Sequence, residues 1–198
     1  MDIYGDTQSG NCMKVKYTAD HLELSYTWHS LDILDGSTRT PEFLQVNPHG
    51  QVPVIVLEDG RVLAQSNAII AYLAEDTELL PSDRFARAQV LQWLFWEQYS
   101  HEPYIAVCRF HMHYLGKSKE TREAWRVERG EAALDALEHH LSQWRWLVSD
   151  QFTIADIALF AYTHLAHEGG FDLTPRPSAR RWIAECGEVL AVAPSVGD

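Results

Sequence analysis

Near the start of the chain, Ser9-Gly10-Asn11-Cys12-Met13-Lys14-Val15 sets one hydroxyl, one carboxamide and one thiol within four positions, where a first strand gives way to a first helix. A helix N-terminus presents unpaired amides and a partial positive charge, which favour an anion such as a thiolate. Taken alone, the segment also reads as a helix that Ser9 merely caps. A second segment, Asn47-Pro48-His49-Gly50-Gln51-Val52-Pro53, leads into an apolar strand. A proline just before a strand fits a cis Val52–Pro53 bond, leaving the Val52 amide and carbonyl outside the sheet and open to a peptide-like ligand. An ordinary turn proline is the plain alternative. In the third, Gln65-Ser66-Asn67, a hydroxyl and amide at a helix start can hold a carboxylate, with Gln65 beside them for an amine, or Ser66 can simply cap.

The elements that must position these groups follow from patterning. Residues 2–4 read as a strand, 12–22 as a helix, 24–31 as β-branched and aromatic, 41–46 as a helical turn, 52–57 and 62–64 as a hairpin, and 66–74 as a helix. The order βαβαββα describes an α/β unit with a small mixed sheet. Residues 1–79 carry 4 basic and 12 acidic side chains, net −8, and the remainder 12 and 16, net −4; six of the seven tryptophans also lie beyond this point. The segment Leu79-Leu80-Pro81 marks the seam, giving an α/β domain over 1–78, a linker over 79–84 and an all-helical domain over 85–198. In the second domain, Leu134, Leu137, Leu141, Trp144 and Val148 fall on one helical face, and a helix over 85–115 should kink at Pro103. Thr153-Ile154-Ala155-Asp156 is a capping box opening a buried helix over 154–165, a structural device.

With 46% hydrophobic and 22% charged residues, the 198-residue chain lies well away from the composition of disorder. A net charge of −12 sets it against polyanionic partners, so no nucleic acid and no anionic membrane is expected. The N-terminus lacks the pattern of a secretory signal and no apolar run reaches membrane-spanning length, which points to the cytoplasm. Three dispersed cysteines read as reduced thiols. His164 and His167, with Glu168, share one helical face but have no further ligand set in register; a partly solvated face is expected, and no metal.

Together, in this order and spacing, the three segments resemble the thioredoxin-like half of a cytosolic glutathione S-transferase. The resemblance extends through Arg39-Thr40-Pro41-Glu42-Phe43-Leu44, the Leu79-Leu80-Pro81 linker and the capping box, and so covers nearly the whole chain. The Ser9, Arg39 and Gln51-Val52-Pro53 pattern looks most like phi, theta and related bacterial (nu-like) classes. It implies a thioredoxin-like domain followed by the family's helical bundle, glutathione as co-substrate and a detoxifying homodimer. It further implies that Ser9 hydrogen-bonds the glutathione sulfur with Asn11 as a second donor, and that Arg39 and Gln51 hold the glycine carboxylate. Val52, ahead of Pro53, would pair with the cysteinyl backbone, while Gln65 and Ser66 would grip the γ-glutamyl end. Gln65 departs from the Glu common at that position, and His49 receives no role.

The chemistry follows from thiol acidity. With a pKa of about 8.5, about 3% of a thiol is ionised at pH 7, and a drop of about two units makes that roughly 75%. An alcohol is far too weak an acid for Ser9 to serve as the base, so its role is to donate to the sulfur anion. Where a thioredoxin carries Cys-x-x-Cys, this chain has Ser9-Gly10-Asn11-Cys12, which excludes a protein dithiol cycle but leaves Cys12 open to a mixed disulfide. A small hydrophobic electrophile would sit on the kinked helix, with Tyr104, Val107, Cys108 and His111, and also Tyr99, as candidates. The alternatives are a glutathione-dependent disulfide or peroxide reductase, and a non-catalytic binding protein on the same fold.

Overall fold

The structure is a computed structural model that describes residues 1–148 and 150–195. Two compact units divide between Thr77 and Glu78.

The first unit opens with β1 (Asp2–Gly5), α1 (Gly10–His21) and β2 (Thr27–Ser30). A 3-10 turn (Ser37–Arg39) and α2 (Pro41–Val46) lead to the hairpin β3 (Val54–Val56) and β4 (Val62–Ala64), and α3 (Ser66–Leu73) closes the unit. The strands form one sheet in the order β2-β1-β3-β4. β1 and β2 run parallel, with Ile3 opposite Trp28, and two parallel neighbours require a crossover, which α1 supplies. β3 is antiparallel to both β1 and β4. Ile3, Val15, Ala19, Val54, Ile55, Ile69 and Ile70 are buried completely, which makes one core of the sheet and the packed pair α1 and α3. The expected βαβαββα order is therefore present, although the second strand occupies only the last part of the 24–31 run. Gly5 is needed at the end of β1 because a Cβ there would lie 2.6 Å from the Trp28 ring and 3.1 Å from Cys12 Cβ. That close approach seats the start of α1 against the strand.

The second unit is helical: α4 (Arg84–Trp96), α5 (Glu102–Arg109), α6 (Ala124–Leu141), α7 (Ile154–Thr163) and α8 (Pro177–Leu190). The expected single kinked helix over 85–115 is divided by a π turn (Glu97–His101), and a second π turn (Phe110–Tyr114) follows α5. Pro103 lies in the first turn of α5, where a missing N–H costs little, so the irregularity is taken up in the wider turn just before it. α6 stops at Leu141, so Trp144 and Val148 leave the predicted stripe; Trp144 is half exposed and Val148 pairs with Gln151 in an isolated bridge.

α7 is buried on all sides, and all its residues but Asp156, Tyr162 and Thr163 are apolar. A buried helix start cannot leave its N–H groups to water, and the capping box answers that need. The Ala155 N–H donates to Thr153 Oγ1 at 3.2 Å, the Thr153 N–H to Asp156 Oδ2 at 3.0 Å, and the Ile154 N–H to the Leu79 carbonyl at 3.0 Å. Asp156 Oδ1 also accepts from the Leu147 N–H at 3.1 Å and the Trp182 indole at 2.9 Å. His164 does not lie on a solvated face as expected: it is buried and stacked on Phe160, with ring centroids 4.4 Å apart. Among the described residues, no helix is long and apolar enough to cross a membrane, and no group of three His, Cys, Asp or Glu is placed to hold a metal ion.

Candidate active site

The loop from β1 to α1 is set by Asp6, whose Oδ1 accepts from the Gln8 N–H at 2.7 Å and whose carbonyl accepts from the Ser9 N–H at 3.1 Å. Ser9 is the N-cap residue of α1, yet its hydroxyl makes no capping bond to the helix. It hydrogen-bonds the Cys12 thiol instead. Burial pushes that thiol up to about 11, the Asp6 charge adding to the rise, against the smaller lowering by Ser9 and the Asp6 backbone. A fully buried thiol with that acidity is un-ionised at neutral pH and is a poor nucleophile.

Asn11 stands in the first turn of α1, and its Oδ1 accepts a 2.9 Å hydrogen bond from the Ser66 hydroxyl. The first and third sequence segments therefore meet. Ser66 is the first residue of α3 rather than its cap; the cap position belongs to Gln65, whose φ of 72° is left-handed backbone that non-glycine residues rarely adopt. Such strain costs about 1–3 kcal/mol and collects at ligand-binding positions. The two helix starts, α1 at Ser9 and Asn11 and α3 at Gln65 and Ser66, bring together hydroxyls, amides and positive dipole ends that suit a thiolate and a carboxylate.

The middle segment is organised by Asn47, a buried residue the sequence reading passed over. Its Nδ2 donates to the Gln51 carbonyl at 2.7 Å, its Oδ1 accepts from the His49 N–H at 3.2 Å, and its carbonyl accepts from the Gly50 N–H at 2.9 Å. Asn-Pro-x-Gly is a turn signature that could have revealed it. Gly50 has a φ of 60°, and a Cβ there would lie 2.4 Å from Arg39 Nη1. Arg39, at the end of the 3-10 turn, donates through Nη1 to the His49 carbonyl at 3.0 Å, so Arg39 and exposed Gln51 belong to one connected loop surface. Val52–Pro53 is cis, and the ladder pairing of β3 begins at Val54, which leaves Val52 outside it.

In the second unit, the electrophile candidates occupy α5 and the π turn after it. Tyr104 is buried, its ring edge-on to Trp125 at 6.2 Å, and its hydroxyl accepts from Arg129 Nη1 at 3.1 Å. Cys108 is buried, and burial raises its thiol pKa against the opposing charges of Arg122 and Arg126. Val107 and His111 are half-buried, and Tyr99 is 80% exposed. Tyr104 lines a cavity in this unit whose other walls include none of Val107, Cys108 or His111.

Residues 8–76 match the glutathione S-transferase N-terminal domain, and residues 119–185 match the glutathione S-transferase C-terminal domain. Glutathione S-transferase D7 of Anopheles gambiae is 30% identical over 95% of this chain and 86% of its own. The disulfide-bond oxidoreductase YfcG of Escherichia coli is 29% identical over 92% of this chain and 87% of its own. A crystal structure of a glutathione S-transferase from Pseudomonas fluorescens superposes with a TM-score of 0.90 at 50% identity, covering 94% of each chain. With both halves matched and the thioredoxin-like sheet followed by the helical unit, the chain belongs to the glutathione S-transferase family.

Proposed function

We propose that the protein is a glutathione transferase that activates the glutathione thiol and transfers it to a small hydrophobic electrophile. The observation that carries this reading is the Ser66–Asn11 hydrogen bond of 2.9 Å, which joins the two helix starts on which the tripeptide would lie. Ser9 and Asn11 donate to the sulfur and favour its ionised form. Arg39 and Gln51 take the glycine carboxylate, the Val52 backbone pairs with the cysteinyl unit, and Gln65 and Ser66 hold the γ-glutamyl end. The thiol proton leaves to solvent, and the sulfur electron pair forms a bond to the electrophilic carbon as that carbon's bond to its leaving group breaks and the leaving group departs with the electron pair; a thioether results. Tyr104, Val107, Cys108 and His111 are the proposed contacts of the electrophile.

The protein is further proposed to act as a cytoplasmic homodimer. Unbonded Cys12, Cys108 and Cys186 suit a reducing compartment, and Phe95 and Tyr99, 73% and 80% exposed on α4 and the π turn after it, suit a second copy.

A second reading, glutathione-dependent disulfide reduction, is favoured by the likeness to YfcG. Burial of Cys12 argues that the reacting sulfur in such a reaction also belongs to the ligand. The test is the pH dependence of Ser9→Ala and Cys12→Ala with one electrophile and one disulfide. The transferase reading expects Ser9→Ala to raise the pKa of bound glutathione by about one unit or more, since a charge-assisted hydrogen bond is worth at least about 1.4 kcal/mol. Turnover of the electrophile should then fall near neutrality and recover partly in alkali, with Cys12→Ala nearly unaffected. A Cys12 variant inactive towards the electrophile, beside a normal Ser9 variant, would overturn it.

A further inference from the structure

Ser9 occupies the N-cap position of α1 without using its hydroxyl as a cap. Its carbonyl accepts from the Met13 N–H at 2.9 Å, and its φ and ψ of −80° and 120° are those of an extended residue entering a helix. The hydroxyl nevertheless makes no bond to the helix amides and pairs with Cys12. The side-chain bond that ordinarily fastens the entry of a chain into a helix is therefore not made by Ser9.

Asp6 supplies that fastening from the turn before the helix. It is 7% exposed, whereas Thr7 and Gln8, between it and Ser9, lie at the surface. The Ser9 N–H donates to the Asp6 carbonyl at 3.1 Å, which closes a four-residue turn over 6–9, and the Gln8 N–H donates to Asp6 Oδ1 at 2.7 Å, which braces the same turn from the side chain. Aspartate suits the first position of a turn because its short side chain reaches the amide two residues on. The Asp6 main chain also hydrogen-bonds the Cys12 sulfur. Ser9 is thus held through its N–H by Asp6 and through its carbonyl by α1. A carboxylate carries the wrong charge to stand beside a sulfur anion, and the Asp6 charge already adds to the rise of the Cys12 thiol. What the position uses is the acceptor, not the charge.

We propose that Asp6 is a positioning residue for sulfur activation: by closing the 6–9 turn it takes over the fastening of the helix entry, which leaves the Ser9 hydroxyl to turn from Cys12 to the sulfur of glutathione. The proposal rests on the transferase reading, in which Ser9 donates to that sulfur, and adds a residue outside the set that touches the tripeptide. A displacement of about 1 Å in a positioned group can cost about 100-fold in rate, so a loosened turn should be felt at the sulfur.

The test is an ultraviolet titration of the thiolate of bound glutathione on the full chain and on its Asp6→Asn, Asp6→Ala and Asp6→Ser variants. The first two both discard the charge, and only Asp6→Asn keeps a strong acceptor. Asp6→Asn should hold the pKa of bound glutathione at or below the wild-type value. Asp6→Ala should raise it above that of Asp6→Asn by about half a unit or more, which is about threefold less thiolate on the acid side. Asp6→Ser, whose hydroxyl closes such turns more weakly, should fall between them, and it serves in place of Asp6→Ala if that variant does not fold. In a Ser9→Ala background the Asp6→Asn and Asp6→Ala values should coincide, because no hydroxyl is left to position. Equal values in the two variants with Ser9 present, or a difference that persists without it, overturns the proposal alone. An unchanged pKa in Ser9→Ala itself, or no binding of glutathione by the wild type, overturns the transferase reading and this proposal with it.

Discussion

The Ser66 hydroxyl donates a 2.9 Å hydrogen bond to Asn11 Oδ1 across 55 positions of sequence. Under the proposed reading, in which Ser66 takes the γ-glutamyl carboxylate and Asn11 the sulfur, this bond would couple one end of the ligand site to the other. Ser66→Ala and Asn11→Ala should each weaken glutathione binding, by about 1–2 kcal/mol for a lost polar contact. The double variant should fall short of the sum by about 0.5 kcal/mol or more, because the second change removes a partner already orphaned. Strict additivity, measured by calorimetry on all four proteins, would mean that the bond plays no part in binding.

A second expectation concerns the loop that presents Gln51. Gly50→Ala forces an L side chain into left-handed backbone and drives Cβ to within 2.4 Å of Arg39 Nη1 and 2.8 Å of the Thr38 carbonyl. It should destabilise the protein by about 1–3 kcal/mol and weaken glutathione binding by displacing Arg39. Gly60→Ala supplies the control, since its φ is 83° but nothing lies within 4 Å of the added carbon. That variant should carry the backbone cost without the loss of affinity. Equal losses in both would separate Arg39 from ligand binding.

The capping box should act on stability alone. Thr153→Ala removes one capping bond, worth about 1 kcal/mol. Asp156→Ala also strands the Leu147 N–H and the Trp182 indole, both buried, and should cost about 3 kcal/mol or more. At this chain length each kcal/mol lowers Tm by about 2–4 °C. Glutathione affinity of the folded protein should be unchanged; an affinity loss at full Tm would make the box part of the site.

Acid stability offers a fourth measurement. Burial, with lesser contributions from Arg109 and His167, holds His164 down at about 4, against 6.5 for the free side chain. The native form binds that proton less readily than the unfolded chain, so stability is full above about pH 6.5 and is lost as pH falls towards 4, by at most about 3 kcal/mol for 2.5 pK units. Asp156 works in the opposite sense: burial raises it to about 6, its native form binds a proton more readily, and stability declines as pH rises from about 4 to 6. The His164→Gln variant separates the two. The Tm of the wild type minus that of the variant should grow between pH 4.5 and 6.5 and then level off, and a flat difference would show that His164 does not titrate with folding.

Much of this molecule was legible from local pattern. The βαβαββα order, the 41–46 helix, the 62–64 strand and the capping box depend on alternation, proline and glycine placement and Ser/Thr/Asp chemistry within a few residues, and such rules act along the chain. The family, too, could be read from four short segments in register. What lay beyond the sequence is whatever is settled by groups distant in the chain. Ser9 hydrogen-bonds Cys12 instead of capping α1, and a bare Gly5 leaves the room at the end of β1 in which that helix start sits, since a Cβ there would lie 3.1 Å from Cys12 Cβ. The cap of α3 falls to Gln65 in a strained conformation, and Ser66 is freed to reach Asn11. The apparent helical stripe from Leu134 to Val148 breaks at Leu141, and the long helix through Pro103 is resolved by π turns. His164, polar by composition, is buried against Phe160. Periodicity reports which face of an element is apolar; which partner meets that face, and which donor finds which acceptor, is decided only when the whole chain packs and every buried polar group must be satisfied at once.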